Sequence, residues 1–362
     1  VFPPNFFPQD SPNAGQWVIL SLTFQIFVTN LQMPSKILII RFSSIGDIVL
    51  TTPVIRCLKK QYPEAAIHYA TKKQYVSLLE ANPYLTKIHA FEDKQLPDLM
   101  DRLDAEKFDL IIDLHNNLRS FLIKTNLGIE HRSFNKLNWQ KWLMVNFKIN
   151  RLPQVHIVDR YLATLRDYKV INDGLGLDFY IPDHAHVDIS QLPQNFHSGY
   201  ITYVIGAMHN TKKLPLNKAI ELCNRIKLPI VLIGGKEDAA FGDAIIADSQ
   251  STIYNACGKY SLNQSASIIQ QAQQVIAHDT GMMHIAAALK KPVISIWGNT
   301  IPEFGMYPYF GDTNSLQTQR TACKILEVNG LNCRPCSKIG FEVCPKGHFK
   351  CMQLQDFSLI EG

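Results

Sequence analysis

The chain has 362 residues, of which 46% are hydrophobic and 19% charged, with a formal net charge of +5. Such a length is too great for one compact core and suits two domains of ordinary size, while the composition excludes a disordered or fibrous chain. The charge is unevenly placed: His115 to Lys169 holds 10 Lys/Arg against 3 Asp/Glu, a local +7, so the rest of the chain sums to −2. A single basic stretch predicts an anionic partner met on one face, although a solvated helix surface would carry the same signature.

The first 32 residues stand apart. Val1 to Gln16 is rich in Pro, Asn and Gln, and the apolar run Trp17 to Val28 is too short to span a bilayer. It also lacks the Lys/Arg start and small-residue cleavage site of a secretory signal. Because Met33 stands immediately before the first clear strand, we read residues 1–32 as an upstream extension, non-native or disordered. Membrane anchoring by this segment is the alternative.

From Lys36 the pattern is strand, glycine turn, helix, repeated. Ile37 to Arg41 predicts a strand, followed by the turn Ser43-Ser44-Ile45-Gly46-Asp47 and helix to about Tyr62. Strands are expected at Ala66–Ala70, Lys87–Phe91 and Asp109–Asp113, with helices near Gln74–Glu80 and Leu96–Glu106. A second series begins near Tyr200, with strands at Ile201–Ile205, Pro229–Ile233, Thr252–Asn255, Gln274–Ala277 and Val293–Trp297. Between them lie predicted helices near Leu216–Arg225, Ala239–Ser249, Ser261–Gln271 and Met282–Leu289. Short apolar strands alternating with helices define an α/β chain whose parallel sheets are covered on both faces. The Pro- and His-containing stretch Ile181–Ser198 reads as the linker. We therefore expect domains over residues 33–185 and 186–352, facing across a cleft, with a tail over 353–362.

Ligands of open parallel sheets bind at the carboxyl ends of the strands, where loops lead into helix N-termini. Four such loops stand out. In the first, Gly46 permits a tight turn and puts Asp47 at the start of a helix, either as a helix cap or as a general base toward an acceptor hydroxyl. The second, Gly206 to Pro215, carries the pair Lys212-Lys213, which could hold a diphosphate by charge or lie on the surface as ordinary loop lysines. The third, Gly234-Gly235-Lys236-Glu237-Asp238, offers close backbone approach and an acid within reach of a ribose diol, or a simple turn with a cap. In the fourth, His278-Asp279-Thr280-Gly281-Met282-Met283-His284, strand runs into helix so that Thr280 and Gly281 present free N–H groups to a phosphate. Asp279 could cap that helix or position the donor. His284 falls in its first turns, where a lone His is more often structural.

Together and in this order, Arg-Phe-Ser-Ser-Ile-Gly-Asp, Thr-Lys-Lys-Leu-Pro, Gly-Gly-Lys-Glu-Asp and His-Asp-Thr-Gly-Met-Met-His resemble the motifs of the ADP-heptose:lipopolysaccharide heptosyltransferases, glycosyltransferase family nine. Asp-Thr-Gly-x-x-His is the most specific of them, and Asp113 to Ser120 resembles a further family segment. The resemblance runs from about Lys36 to Met352 and implies the GT-B architecture, two Rossmann-like domains of which the first binds acceptor and the second nucleotide sugar. It also implies inverting transfer from a nucleotide-diphosphate donor, expected to be ADP-heptose, with no cofactor and no obligatory metal. By position, Asp47 matches the catalytic base, Lys212 the lysine on the donor phosphates, and Glu237 the acid near the donor ribose. Asp279, Thr280, Gly281 and His284 match the phosphate- and sugar-binding turn. The basic stretch, with Arg119, Arg132, Lys136 and Lys141, would then meet the anionic groups of a core glycolipid. The expected setting is the cytoplasm, with peripheral contact on the inner membrane's cytoplasmic face as the alternative.

Two departures stand against the family pattern. Lys213-Leu214-Pro215 replaces the usual Arg-Trp-Pro. Only Gln353 to Gly362 follows the cysteine cluster, where related chains add a helix that crosses back onto the first domain. Of eight cysteines, Cys57, Cys223, Cys257 and Cys323 are scattered as reduced core thiols usually are. Cys333, Cys336, Cys344 and Cys351 open with a C-x-x-C pair that could hold a tetrahedral zinc, but the later spacing of six residues favours a reduced, packed loop. Readings that compete with the heptosyltransferase are a transferase using another nucleotide sugar for capsule or glycan, and a non-catalytic nucleotide-sugar-binding protein. No Gly-x-Gly-x-x-Gly follows either opening strand, which disfavours an NAD-dependent oxidoreductase, and the basic stretch carries no motif for reading nucleic acid.

Overall fold

Ile37, Leu38, Ile39 and Ile40 are fully buried, as a strand covered by helices on both faces requires. A computed structural model describes residues 34–311, 323–358 and 360; the segment read above as an extension lies outside them. Strands β1 (Lys36–Ile40), β2 (Ala66–Lys72), β3 (Lys87–Phe91), β4 (Leu110–Asp113) and β5 (Glu130–Ser133) form a parallel sheet in the order β3-β2-β1-β4-β5. A second parallel sheet, ordered β11-β10-β9-β6-β7-β8, is built from β6 (Ile201–Val204), β7 (Ile230–Ile233), β8 (Ile253–Asn255), β9 (Gln274–His278), β10 (Val293–Trp297) and β11 (Cys323–Glu327).

The strand order reverses between β1 and β4 in the first sheet and between β6 and β9 in the second. At such switch points adjacent loops diverge and open a crevice. The Asp47 loop follows β1, the Lys212 loop follows β6, and the Asp279 loop follows β9, so three of the four loops singled out flank a crevice.

Elsewhere the structure corrects the sequence reading. The first predicted helix is two, Ile45–Val49 and Thr52–Gln61. Pro53 has no N–H to give Val49, and the Thr52 hydroxyl donates to the Val49 carbonyl instead at 2.7 Å, as the Thr51 hydroxyl does to Ile48. The expected helix at Gln74–Glu80 is a 3-10 helix, Lys73–Leu78, stopped short of Pro83, before which α geometry is disfavoured. The basic stretch, read only by its charge, supplies β5 and the helices Leu118–Leu127, Asn138–Phe147 and Ile157–Leu162. Strand β5 (Glu-His-Arg-Ser) escaped notice because an edge strand, left without an apolar face, shows no alternation. The stretch 181–198 contains only short 3-10 turns, and its Val187, Leu192 and Phe196 pack into the core of the second sheet.

The two sheets' lobes meet at several points. Arg56 of the helix Thr52–Gln61 pairs with Asp173 and Asp178, while Lys290 donates to the carbonyls of Leu175 and Leu177. Residues 173–178 are thereby tied to both lobes. The tail turns back on the second lobe, where Phe357 and Ile360 are buried and Gln355 donates to the Trp297 carbonyl at 3.0 Å.

Candidate active site

Asp47 is the third residue of its helix. Its Oδ2 accepts from the Ser44 backbone N–H (3.2 Å) and hydroxyl (2.9 Å), closing a capping box. Its Oδ1 receives the Arg41 guanidinium at 2.6 Å. Burial alone would push this carboxyl up, but Arg41 and the two Ser44 hydrogen bonds outweigh it and hold the group below the ordinary value of 3.8. The cap and the charged acid are thus the same residue. Arg41 is itself fixed, donating to the carbonyls of Leu114 (2.6 Å) and Ser43 (2.7 Å).

Beside β1, Asp113 ends β4 fully buried. It accepts from the backbone N–H groups of His115 (3.0 Å) and Asn116 (2.6 Å), from Ser120, and from Lys124. The Asp113–Ser120 segment is therefore a braced loop that sets where His115 stands. Burial beside Arg41 and Lys136 drives the His115 imidazole down to about 4.

The four basic residues proposed for the acceptor divide into two pairs. Lys136 and Lys141 both lie in the field of Asp47 and Arg41. Burial lowers Lys136, and burial with Arg160 nearby lowers Lys141 to about 8. Arg119 instead pairs with Asp93 at 3.0 Å, and Arg132 with Glu130 and Asp167. Residues not foreseen from sequence complete the cationic ring: Arg41, Arg160 and, from the second lobe, Lys338, whose charge also acts on Lys136 and Lys141. Their signal was diffuse, since Arg160 sits in a helix and Lys338 in a distant loop, and spacing along the chain does not show that either faces Asp47.

Across the cleft, the helix Gly281–Ala288 begins at Thr280, whose extended backbone makes no side-chain cap bond and whose buried Oγ1 has no partner. Asp279 accepts from Lys212 at 2.6 Å and from the Thr300 hydroxyl at 2.8 Å, so it positions the lysine beside the helix start. His284, almost fully buried, is pushed down to about 4 by burial in spite of Asp279 and Asp47, and its Nδ1 is unpartnered. Both polar atoms of the buried Asn299 side chain are unpartnered as well. A helix N-terminus beside an unpartnered hydroxyl and a lysine has the chemistry to receive an anion.

The remaining second-lobe residues separate by role. Lys213 pairs with buried Asp238 at 2.7 Å, and Asp238 accepts from the Gly235 N–H at 2.9 Å, so these two fix the glycine loop. Glu237 is exposed beside Gly235, free to meet a ligand over the turn. Leu214, which replaces the Trp of the family pattern, is buried, and its N–H donates to His278 at 3.1 Å.

The two halves touch at glycines. A Cβ on Gly46 would lie 2.6 Å from Cδ2 of His284, and one on Gly281 would lie 3.0 Å from the Gly46 nitrogen. The start of the Asp47 helix and the start of the helix Gly281–Ala288 therefore abut, with Asp47 on one side and Lys212, Asp279 and Thr280 on the other.

All four clustered cysteines are free thiols, and no three of their sulfurs come within 4.8 Å of one another. Cys336 donates to the Cys333 carbonyl at 3.0 Å, and the loop that carries them clasps Thr211 through three hydrogen bonds with Phe341. Among the described residues, His68, His89 and Glu106 are the one group with metal-ligand spacing. They lie in the first lobe; His68 Nδ1 and His89 Nε2 are hydrogen-bonded at 3.0 Å, and both Lys36 and Lys87 pair with Glu106. Two ammonium groups on the only carboxylate oppose a further cation there.

Two facing parallel-sheet lobes, with an acid on one rim and an open helix start on the other, have the architecture of a GT-B glycosyltransferase. Residues 97–328 match glycosyltransferase family 9 (heptosyltransferase), and the chain belongs to that family. Lipooligosaccharide heptosyltransferase 2 of Haemophilus ducreyi is 28% identical over 302 residues, covering 74% of this chain and 85% of that protein. Lipopolysaccharide heptosyltransferase 2 of Escherichia coli K12 is 24% identical over 293 residues, covering 74% and 84%. The solved structure of E. coli ADP-heptose lps heptosyltransferase II has the same fold, with a TM-score of 0.63 at 20% identity over 88% of this chain and 98% of that one.

Proposed function

We propose that this chain transfers heptose from ADP-heptose to an anionic lipopolysaccharide core acceptor, with inversion and without a divalent metal. The observation that carries the reading is the abutment of Gly46 and Gly281, which sets Asp47 against the anion seat at Thr280. The names of the Haemophilus and Escherichia relatives point to the same substrates.

Inversion is one in-line displacement. The acceptor oxygen forms a bond to the anomeric carbon as the bond to the diphosphate oxygen breaks, and the hydroxyl proton passes to Asp47. A carboxylate of low pKa suits this role, because the attacking hydroxyl becomes strongly acidic only once its bond to the sugar has formed. Lys212 and the amides at Gly281 and Met282 receive the charge developing on the diphosphate, work that a metal ion does elsewhere. Glu237 stands where a ribose diol could bond. Neutral His284 faces the sugar. On the other rim, Lys136 and Lys141 receive acceptor phosphates or carboxylates. A lipid-anchored acceptor would bring the protein to the cytoplasmic face of the inner membrane; among the described residues no helix is long and apolar enough to cross it.

The test is release of nucleoside diphosphate from a panel of nucleotide sugars with a core-lipid acceptor, with and without EDTA. Turnover of ADP-heptose alone, unaffected by the chelator, is expected. Preference for another nucleotide sugar would move the reading to capsule or glycan synthesis, and donor binding with no transfer would leave a binding protein.

A further inference from the structure

The helix Asn138–Phe147 buries none of its residues. Trp139 is 64% exposed, Trp142 46% and Phe147 58%. The two indoles stack at 5.0 Å and 18°, and Phe147 meets Trp142 edge-on at 5.2 Å. Ile149, just beyond, is exposed too. Large aromatic rings clustered in water forgo the burial that ordinarily makes them the strongest contributors to a core. Charge along this segment is one-sided. Between Glu130 and Asp159 there is no Asp or Glu, while Arg132, Lys136, Lys141, Lys148 and Arg151 all fall there.

We infer that this helix is a seat for an anionic phospholipid bilayer, into whose interface Trp139, Trp142 and Phe147 insert. Indole rings prefer the headgroup layer, and the acid-free basic segment is drawn to a negative surface. Exposed Lys148 and Arg151 follow the rings, and a second copy of this chain would set those cations against their own kind. The helix is two-sided. Lys141 turns inward to the field of Asp47 and lies over the Phe304 ring, while Lys148 is bonded to the carbonyls of Val145 and Pro335. Arg151, exposed, remains for the headgroups. Because the helix follows β5 at the rim where Asp47 follows β1, a lipid-borne acceptor would reach the acid without leaving the bilayer. This deepens the reading above and rests on its glycolipid acceptor.

Flotation of the full chain, without donor or acceptor, with vesicles of mixed phosphatidylglycerol and phosphatidylethanolamine tests the seat apart from the chemistry. Wild type should float with these and not with phosphatidylcholine alone, should be released by salt, and should have its tryptophan emission quenched by brominated acyl chains. The variant Trp139→Gln/Trp142→Gln should bind about tenfold more weakly and lose the quenching, with its melting temperature and its transfer to a delipidated acceptor preserved. Arg151→Glu should weaken binding without touching either indole. Equal flotation of wild type and the tryptophan variant would overturn the inference, as would vesicle-free dimerisation through the two tryptophans. So would a wild type that transfers sugar yet ignores anionic vesicles, and in that case the transferase reading would stand. Wild type that floats as expected but transfers no sugar would remove that reading and leave the seat.

Discussion

Gly46 and Gly281 meet backbone to backbone, so closely that a methyl group on Gly281 would lie 2.5 Å from Cγ2 of Ile45 and 3.0 Å from the Gly46 nitrogen. The neighbours are main chain or next to it and have little room to yield. Gly281→Ala should therefore prise the lobes apart at the reacting centre. We expect kcat/KM to fall about a hundredfold, since a displacement on the order of 1 Å costs that much, and stability to fall by about 1–3 kcal/mol. Steady-state kinetics beside a thermal melt checks both; activity unchanged would mean that this contact does not set the gap.

Asp47→Asn should lower kcat by about 100- to 10,000-fold, the worth of a general base, while ADP affinity measured by calorimetry stays within about twofold. Amide and carboxylate fill the same space, so the capping bond from Ser44 can survive. Loss of ADP binding in step with turnover would make Asp47 a structural residue only.

With Asp47 as the base, the acid limb of the pH profile should report the same carboxylate. Its proton must be off for it to act, and Arg41 keeps its pKa below the ordinary 3.8, so kcat/KM should hold as pH falls until below that value. In Arg41→Met the guanidinium is gone and burial remains, both of which favour the protonated acid. The limb should then move up by at least about one pH unit. A limb that does not move would separate Asp47 from the proton transfer.

Lys141, held near 8 by burial and by Arg160, loses its charge as pH rises through that value in the free enzyme. Acceptor kcat/KM should fall above about pH 8, and Lys141→Arg should abolish the fall, because arginine keeps its charge. Lys136→Glu/Lys141→Glu should raise acceptor KM at least tenfold, by about 1.4 kcal/mol, with donor affinity preserved. Arg119→Glu should do much less, as that guanidinium is already paired with Asp93.

Lys212 and Lys213 adjoin in sequence and diverge in effect. Lys212→Ala should weaken ADP binding about tenfold or more through a lost charge-assisted bond. Lys213→Ala should chiefly lower the melting temperature, because it leaves Asp238 buried without its partner. Reversed outcomes would exchange their roles.

The sequence by itself determined the repeated strand-turn-helix units and the loops that follow β1, β6, β7 and β9. Each of these is a local matter: a run of buried apolar residues, a glycine where the chain turns, a helix started by a small or acidic residue. It also placed Asp47 and Asp279 at helix starts. Only the tertiary structure decided that Gly46 lies against Gly281, that Lys136 and Lys141 share the field of Asp47 while Arg119 and Arg132 are spent on ion pairs, and that Arg41, Arg160 and Lys338 join the same rim. Those facts depend on strand order and on how two lobes rest on one another. Cations distant in the chain gather at one carboxylate because β1, β4 and β5 lie side by side and the second lobe closes over their ends, and periodicity along a chain carries no trace of that.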